Sequence, residues 1–427
     1  MKRRAYRRTP INQFDVTKAV EKATSQRLIL AVDVAKDDMV AALTTQTAEV
    51  LCTLAWKHLD QTPIMLDKLG QLRDLGYTVE PVMESTGTYG DVLRHQLQHA
   101  GFAVYQVSGK RVHDAQVVYD GVASLHDSKS AAIIAKLHAD GRSALWAIKS
   151  PAERELKAAV AGMDVYQVQH LRLVHMLESW LARYWPEVTR LLELTSATLL
   201  ALLGRVGGPA DVAANPDAAR KLMTGMSHRL MSAEKIECVL QSATQSVGLV
   251  PLPEERTALM TIAAEAHRCL RAFKQAKQRV LELAAGGPSE AIAPAVGKAT
   301  AAVLLTEVGD PRNYPSARAY LKAYGLNLKE KSSGKYQGRL RITKMGSGRA
   351  RQYLWLAVFR WRQKDPIVQA WYAAKVKRDG GSKARAAVAL MRKLVKALFH
   401  VARGVPMNTQ KLFDASRLSI VPALSEG

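Results

Sequence analysis

The sequence predicts a mixed α/β domain at the N-terminus, a long helical insert after it, and a mainly helical C-terminal domain. Short apolar runs separated by turns predict the first domain, a heptad pattern predicts the insert, and helical patterns around a basic, glycine-containing loop predict the last. The 427 residues suffice for two or three domains, and a hydrophobic content of 48% favours folded cores. The predicted boundaries are 1–27 for a basic N-terminal arm, 28–148 for the α/β domain, 149–287 for the insert, 288–406 for the C-terminal domain and 407–427 for a tail.

Apolar runs and helical spacings set the order of elements in the α/β domain. The runs LILAVDVAK, MVAALTT and EVLCTLAW are joined by turns of hairpin length and predict an antiparallel meander. Leucines at helical spacing predict a helix over 63–75, and TVEPVME predicts a fourth strand. A helix from Asp91 to Ala100, a strand at FAVYQV and a helix that begins near Asp127 follow.

The positive charge of the chain is concentrated near the C-terminus. The formal net charge is +23, and between Arg318 and Arg403 there are 22 Lys and Arg residues against three acidic ones, a surplus of 19. A surplus confined to one segment is typical of a protein that binds a polyanion. Nucleic acid is the favoured partner, and a membrane surface is the weaker alternative.

Cysteine usage and hydropathy indicate an intracellular setting. Cys52, Cys238 and Cys269 are far apart and lack CxxC spacing, so neither a disulfide framework nor a zinc site is indicated. Polar residues follow the N-terminal MKRRAYRR, and no apolar run reaches the length of a membrane span. We therefore expect no membrane partner, a solvated basic arm at the N-terminus, and a cytoplasmic, nucleoid-associated location.

Two carboxylates occupy unusual positions in the predicted sheet. Asp33 lies in the middle of the first predicted strand, and Glu84 lies at the end of the fourth. A carboxylate within an apolar strand is costly to bury unless it is paired or binds a metal. In a ribonuclease-H-like sheet these strands are neighbours, so both side chains could coordinate one magnesium ion, with Asp127 completing the set. The alternative is that Asp33 caps a bulge, Glu84 closes its strand and Asp127 caps a helix.

The basic loop from Gly325 to Arg351, GLNLKEKSSGKYQGRLRITKMGSGRAR, suits contact with phosphate. Glycines let the backbone approach closely, basic side chains neutralise the phosphate, and the hydroxyl of Ser332 or Ser333 could attack it. The alternative is a flexible basic turn that touches DNA or RNA without chemistry. The candidate nucleic-acid contacts are Lys335, Arg339, Arg341, Lys344, Arg349 and Arg351.

The insert contains two arms with a heptad seam. The arm over 254–285 has apolar residues at alternating gaps of three and four, and the arm over 152–184 has a similar seam that Gln167 and His170 interrupt. The pattern predicts an antiparallel pair that also contacts a second subunit. The alternative is an internal helical bundle with no role in assembly.

Two groups of motifs resemble one known family. The runs VDVAKDD, MESTGTYG and HDSKSAAIIA, in this order and spacing, are similar to the RuvC-like domain of the DEDD-type bacterial insertion-sequence transposases, a family of bridge-RNA-guided serine recombinases. The later runs AYGLNLKEKSSGKYQGRLRITKMGSG and RAAVALMRKL resemble the C-terminal serine transposase domain of the same family. The resemblance covers about 28–147 and 291–406.

This resemblance implies specific roles. It implies an RNase H/RuvC-like domain that binds Mg²⁺ through Asp33, Glu84 and Asp127, and a nucleophilic serine at Ser333. It also implies donor and target DNA as substrates, a bridge RNA transcribed from the element, and work as a dimer of dimers. Two rival interpretations stay open: a hydrolytic RuvC-type nuclease in which Ser333 only contacts phosphate, and a non-catalytic DNA- or RNA-binding transposase derivative.

The chain departs from the family pattern at two places. The fourth carboxylate of the family corresponds to Ser130, whose neutral hydroxyl is a poorer magnesium ligand than a carboxylate. A Pro-Gly-Ile-Gly hairpin of the family corresponds to residues 294–297, where Ala295 adopts a positive φ less readily than glycine.

Overall fold

The computed structural model describes residues 7–414 except 86, 121–125, 229, 331, 334, 335 and 339, together with residues 416 and 418. The chain divides into two compact units, Met1–Lys149 and Ser150–Gly427. The first unit ends one residue beyond the α/β domain expected from the sequence. The second holds the insert and the C-terminal helices in a single unit.

The first unit is built on a seven-stranded mixed sheet with the strand order β1-β4-β3-β2-β5-β6-β7. The described strands are β1 (Arg8–Pro10), β2 (Arg27–Asp33), β3 (Asp38–Thr45), β4 (Val50–Lys57), β5 (Thr78–Glu84), β6 (Tyr105–Val107) and β7 (Ala144–Leu145). Strands β2, β3 and β4 form the predicted antiparallel meander. Strand β5 pairs with β2 in parallel, so the prediction that the first and fourth predicted strands are neighbours is confirmed.

Helices cover both faces of this sheet. They are α1 (Val16–Val20), α2 (Thr62–Asp74), α3 (Asp91–His99), α4 (Gly109–Asp120) and α5 (Asp127–Ala139). Successive side chains of a strand point to opposite faces, so Leu28 and Leu30 pack with α2 and α3, whereas Ile29 and Ala31 pack with α4 and α5. Asp33 is four residues after Ile29 on the same strand, so its side chain points to the same face of the sheet, the one that α5 covers.

The N-terminal segment is more ordered than the sequence indicates. We expect a solvated basic arm over 1–27, but β1 pairs in parallel with β4, and α1 follows a short 3-10 helix. Ile11, Phe14 and Val16 are 1%, 5% and 5% exposed and pack into the core beneath the sheet. The apolar residues between the charged ones explain the difference, because their burial fixes the segment against the sheet.

The second unit is helical apart from a small hairpin. Its described helices are α6 (Pro151–Tyr184), α7 (Val188–Leu191), α8 (Ala197–Arg205), α9 (Pro209–Ala214), α10 (Pro216–Met226), α11 (Ala233–Thr244), α12 (Pro253–Ala284), α13 (Ala293–Val296), α14 (Lys298–Val308), α15 (Ala317–Ala323), α16 (Gly348–Lys364), α17 (Pro366–Arg378), α18 (Lys383–Val401) and α19 (Thr409–Phe413). The hairpin strands are β8 (Leu328–Lys329), β9 (Ser332–Ser333), β10 (Tyr336–Gln337) and β11 (Arg341–Ile342). Within the described part of the chain, no helix combines the length and the apolar character needed to cross a bilayer.

Two long helices occupy the positions of the predicted arms and run antiparallel. The start of α6 packs with the end of α12 through Leu156 and Val280, and the end of α6 packs with the start of α12 through Leu181 and Leu259. His170, which interrupts the seam, is buried and its Nδ1 lies 3.1 Å from the Ala266 carbonyl oxygen. The seam is therefore covered within one chain, and contact of this seam with a second subunit stays a prediction.

Helices α14 to α18 enclose the C-terminal core. Leu304, Tyr320, Leu354 and Leu394 are at most 1% exposed and belong to one apolar cluster. The hairpin of β8 to β11 leaves this core between α15 and α16. The helices thus hold both ends of the hairpin that contains Ser333.

Candidate active site: an acidic cluster and a serine hairpin

Two predicted metal ligands end neighbouring parallel strands. Asp33 is the last residue of β2 and Glu84 the last residue of β5, and Val32 pairs with Met83 immediately before them. Asp33 therefore ends its strand rather than lying in the middle of it. Both side chains belong to the α5 face of the sheet, because Ala31 and Val82 point there.

The third carboxylate comes from the N-terminus of α5, which lies over the same face. Asp127 is the first residue of this helix, and His126 caps it by accepting a hydrogen bond from Lys129 N. A carboxylate in the first turn is favoured by the helix dipole. Ser130 stands one turn further, and its hydroxyl makes a hydrogen bond with Asp33.

The charges of these residues act on one another. Burial raises the pKa of Asp33, the negative charges of Asp127 and Glu84 raise it further, and the resulting value is about 6. Arg8 and the hydrogen bond from Ser130 oppose this shift in pKa. The three carboxylates thus lie near enough to one another for their charges to interact.

The cluster suits a hard divalent cation by its chemistry. Its donors are carboxylate oxygens and a hydroxyl, which magnesium prefers, and a cation would relieve the repulsion that raises the pKa of Asp33. Among the described residues, however, no group of three His, Cys, Asp or Glu side chains lies close enough together to hold a metal ion. The three carboxylates are neighbours, but Asp33, Glu84 and Asp127 do not form one coordination sphere.

The site residues predicted from the sequence do not include two arginines that contact this site. Arg8 in β1 makes an ion pair with Asp127, with 2.8 Å between its terminal nitrogen and Oδ2. Arg94 in α3 is 3% exposed and donates hydrogen bonds to the Glu84 carbonyl oxygen at 2.9 Å and to Asp91 Oδ1 at 2.6 Å. Arg94 therefore fixes the backbone at the end of β5. The sequence signals neither contact, because each depends on the tertiary fold.

The second candidate site is the hairpin that contains Ser333. Strands β8 and β11 pair at its base, and β9 and β10 pair beyond them, with Ser333 opposite Tyr336 and Ser332 opposite Gln337. The loop expected from the sequence is thus an antiparallel hairpin whose outer pair contains both serines. The structure describes the backbone of Ser333 here, and the predicted contacts Lys335 and Arg339 lie outside the described residues.

Close backbone packing fixes the base of the hairpin. Gly325 has a φ of +66°, and a side chain there would meet Met345 N at 2.6 Å, while a side chain at Gly346 would meet the Ala323 carbonyl oxygen at 2.2 Å. Lys344 N donates to the Gly325 carbonyl oxygen at 2.9 Å. These two positions need glycine because the chain passes itself at contact distance.

The other predicted nucleic-acid contacts fall into two groups. Arg341 and Lys344 are exposed at the base of the hairpin. Arg351 is partly buried and donates to the carbonyl oxygens of Tyr324 at 3.0 Å and Gly346 at 2.9 Å. Arg349 makes ion pairs with Asp164 at 2.5 Å and Glu307 at 3.2 Å. Arg351 therefore fixes the base of the hairpin and Arg349 fixes the start of α16 after it, whereas Arg341 and Lys344 are available to a partner.

The family hairpin position at 294–297 is accommodated without strain. Residues 293–296 form α13, and Gly297 alone among the four residues has a positive φ, at +86°, before α14 begins. Ala295 lies within the helix, so the glycine-to-alanine departure at this position requires no unusual backbone conformation.

Comparisons with known proteins identify both regions. A profile of the DEDD transposase domain of the IS110 family matches residues 30–186, and a profile described as "Transposase IS116/IS110/IS902 family" matches residues 292–373. The first spans the acidic cluster and the second spans the serine hairpin. Both matches are to transposases of the IS110 family, and together they support assignment of the chain to that family.

A curated relative supports this assignment over most of the chain. The "Insertion element IS110 uncharacterized 43.6 kDa protein" of Streptomyces coelicolor is 25% identical over 337 residues, which are 76% of this chain and 82% of the relative. The similarity therefore extends over most of both chains. The family supports transposition of a mobile element as the biological context.

Proposed function

We propose that this transposase is an RNA-guided DNA recombinase that cuts and rejoins DNA through a phosphoserine intermediate. The observation that carries the proposal is the meeting of Asp33, Glu84 and Asp127 on one face of the sheet, in a chain that also presents Ser333 on a hairpin. An RNase H/RuvC-like fold for the first unit agrees with the order of its central strands, β4-β3-β2-β5-β6. The proposed substrates are donor and target DNA.

Ser333 is the proposed nucleophile. Its hydroxyl loses a proton to a base and its oxygen forms a bond to the phosphorus, while the bond from phosphorus to the leaving DNA oxygen breaks and that oxygen takes up a proton. Attack on the phosphoserine by a hydroxyl of another strand releases Ser333 and joins the new ends. Because each step exchanges one phosphodiester for another, the bond energy is kept for rejoining.

Asp33, Glu84 and Asp127 are the proposed magnesium ligands, with Ser130 as a weaker fourth donor. Magnesium bound there would stabilise negative charge on the phosphate and on the leaving oxygen. Arg94 orients this site through the Glu84 backbone. Arg341 and Lys344 neutralise DNA phosphates near the hairpin.

A bridge RNA is the proposed guide, and the support for it is the family resemblance together with a net charge of +23. Sequencing of RNA that copurifies with the protein from cells containing the element tests this partner. We expect one dominant RNA encoded beside the transposase gene. A random sample of cellular RNA contradicts the guide.

We also propose that the protein assembles as a dimer of dimers. The support is an apolar stripe on α6 whose members, Val165, Val168 and Met176, share one helix face and are 53%, 65% and 42% exposed. Glutamate at Val165 and Val168 should lower the mass measured by light scattering. Glutamate at the exposed Thr257 of α12 is the control, and an equal mass for all proteins contradicts assembly through this stripe.

Cleavage of labelled DNA on a denaturing gel tests the serine chemistry. The unmodified protein should give a protein–DNA adduct, Ser333→Ala should bind DNA without forming it, and Ser332→Ala is the matched control that keeps it. An adduct that depends on Ser332 instead moves the nucleophile by one residue.

A hydrolytic nuclease is the second candidate, favoured by the acidic cluster itself, since such a site can activate water in place of serine. Free DNA ends without an adduct would support it. A non-catalytic nucleic-acid-binding derivative is the third, and Ser130 at the position of a carboxylate favours it. Absence of cleavage at every magnesium concentration would support that alternative.

A further inference from the structure

Arg8 reaches the acidic cluster from outside the three elements that carry the carboxylates. Its strand β1 forms the edge of the sheet, whereas Asp33 and Glu84 end central strands. Its guanidinium lies 2.8 Å from Asp127 Oδ2 and 3.4 Å from the Ser128 hydroxyl. The positive charge of Arg8 also lowers the pKa of Asp33, so it acts on two of the three carboxylates.

The fold fixes the position of Arg8. Its backbone pairs with Thr53 in β4, and the residues that follow are anchored by the buried side chains of Ile11 and Phe14. The approach of Arg8 to Asp127 therefore does not depend on a chance conformation of a free terminus. A contact across 119 residues of sequence is built into the first unit.

Arg8 and a bound cation would compete for the carboxylate oxygens of Asp127. The carboxylate that would help to bind a divalent ion is paired with a guanidinium, and a divalent ion beside Arg8 would meet a like charge. This competition agrees with the absence of a group of three ligating side chains among the described residues. Cation binding requires Asp127 to leave Arg8 or to share its oxygens with both.

We propose that Arg8 is the internal counter-ion of Asp127 and that a divalent cation competes with Arg8 for this carboxylate when it completes the acidic site. Arg8 thereby sets the cation concentration at which the site fills. This inference rests on the proposed function of the cluster as a cation site. The side chains of Arg8 and Asp127 are 46% and 56% exposed, so the pair is weak, and we expect removal of Arg8 to tighten cation binding about two- to fivefold.

Titration of the full-length protein with Mn²⁺ in the absence of nucleic acid tests the proposal, with free Mn²⁺ measured by electron paramagnetic resonance. Arg8→Ala and Arg8→Gln should both bind Mn²⁺ more tightly than the unmodified protein, and Arg8→Lys should resemble it. Arg7→Ala is the matched control, because this neighbouring arginine is also exposed and its loss removes the same charge. The difference between Arg8→Ala and Arg7→Ala should shrink as salt is added, since salt screens exposed charges.

An Asp33→Asn variant distinguishes failure of the counter-ion role of Arg8 from failure of the proposed cation site. If Asp33→Asn loses Mn²⁺ binding while Arg8→Ala and Arg8→Gln bind no more tightly than Arg7→Ala, the counter-ion role is overturned and the cation site stands. If no protein shows Mn²⁺ binding that depends on Asp33, the cation site is overturned, and the counter-ion role with it. Thermal melts followed by circular dichroism identify a variant that does not fold. If Arg8→Ala does not fold, Arg8→Gln is compared with Arg7→Ala in its place.

Discussion

The Nε atom of Arg349 lies 2.5 Å from Oδ2 of Asp164, and this ion pair joins the first turn of α16 to α6. The same guanidinium is 3.2 Å from Glu307 in α14, and the Tyr353 hydroxyl donates to Asp164 at 2.9 Å. Ser347, which caps α16, adds a hydrogen bond to Glu307 at 2.6 Å. A helix of the insert is thereby tied to α14, which precedes the serine hairpin, and to α16, which follows it.

Loss of Asp164 should destabilise the second unit. Its side chain is 14% exposed, and Asp164→Ala leaves Arg349 and the Tyr353 hydroxyl without this acceptor, so we expect a loss of about 1–3 kcal/mol in the free energy of unfolding. The control is Glu265→Ala in α12, which breaks an exposed pair with Arg268 and should cost less than about 1 kcal/mol. Thermal melting measures both. Equal shifts for the two variants would show that the Asp164 cluster adds no special stability.

The two exposed cations of the hairpin base should contribute to DNA affinity without affecting the fold. Replacing Arg341 and Lys344 by glutamine removes two charges, and counterion release predicts that the slope of log affinity against log salt falls by up to about two. The melting temperature should not change. Arg351→Gln is the contrasting variant: it should melt earlier, because its guanidinium satisfies backbone carbonyls. A salt slope unchanged by the double replacement argues against phosphate contact at these positions.

The buried network around Glu80 should make α5 sensitive to acid. Burial raises the pKa of Glu80, but hydrogen bonds from Arg27 and His138 outweigh it and hold the pKa below the usual value of a glutamate. His138 in turn contacts the Ser143 hydroxyl and the Tyr105 ring. Since the folded pKa is the lower one, the stabilisation is present above the unfolded pKa of about 4.3 and is lost as the pH falls through the folded value.

Hydrogen exchange of the amides in Asp127–Ala139 measures this effect. Protection should fall between about pH 5 and pH 3 after correction for the intrinsic exchange rate, and Glu80→Gln should flatten this dependence. Asp60→Asn, which removes an exposed carboxylate of the same unit, is the control. The same acid sensitivity in Glu80→Gln would assign the effect to other groups.

Periodicity and motif order predict the parts of the molecule that depend on local sequence. Alternation along β2 and β5 places Asp33 and Glu84 at one edge, and the heptad seam locates α6 and α12. The contacts that neither pattern predicts join distant segments: Arg8 to Asp127 across 119 residues, and Arg349 to a carboxylate in the insert. The sequence does not distinguish a basic side chain that faces solvent from one that forms an ion pair within the chain. Both count equally toward the positive charge that indicates a polyanion partner. For this reason the sequence counts Arg349 and Arg351 as nucleic-acid contacts, whereas the structure gives them partners within the chain.

The serine at the position of the fourth carboxylate gives the sharpest test of whether the acidic cluster works as it stands. The Ser130 hydroxyl makes a hydrogen bond with Asp33 and lies one helical turn after Asp127. Ser130→Asp adds a fourth negative charge to the cluster, so without magnesium it should lower the melting temperature, and with magnesium it should cleave DNA at a lower ion concentration than the unmodified protein. Ser130→Ala, which loses the hydrogen bond but adds no charge, is the control, and Asp127→Asn should abolish cleavage. A magnesium titration of DNA cleavage compares the four proteins; if Ser130→Asp cleaves and the unmodified protein is inactive at every concentration, the chain is a decayed recombinase whose remaining activity is binding.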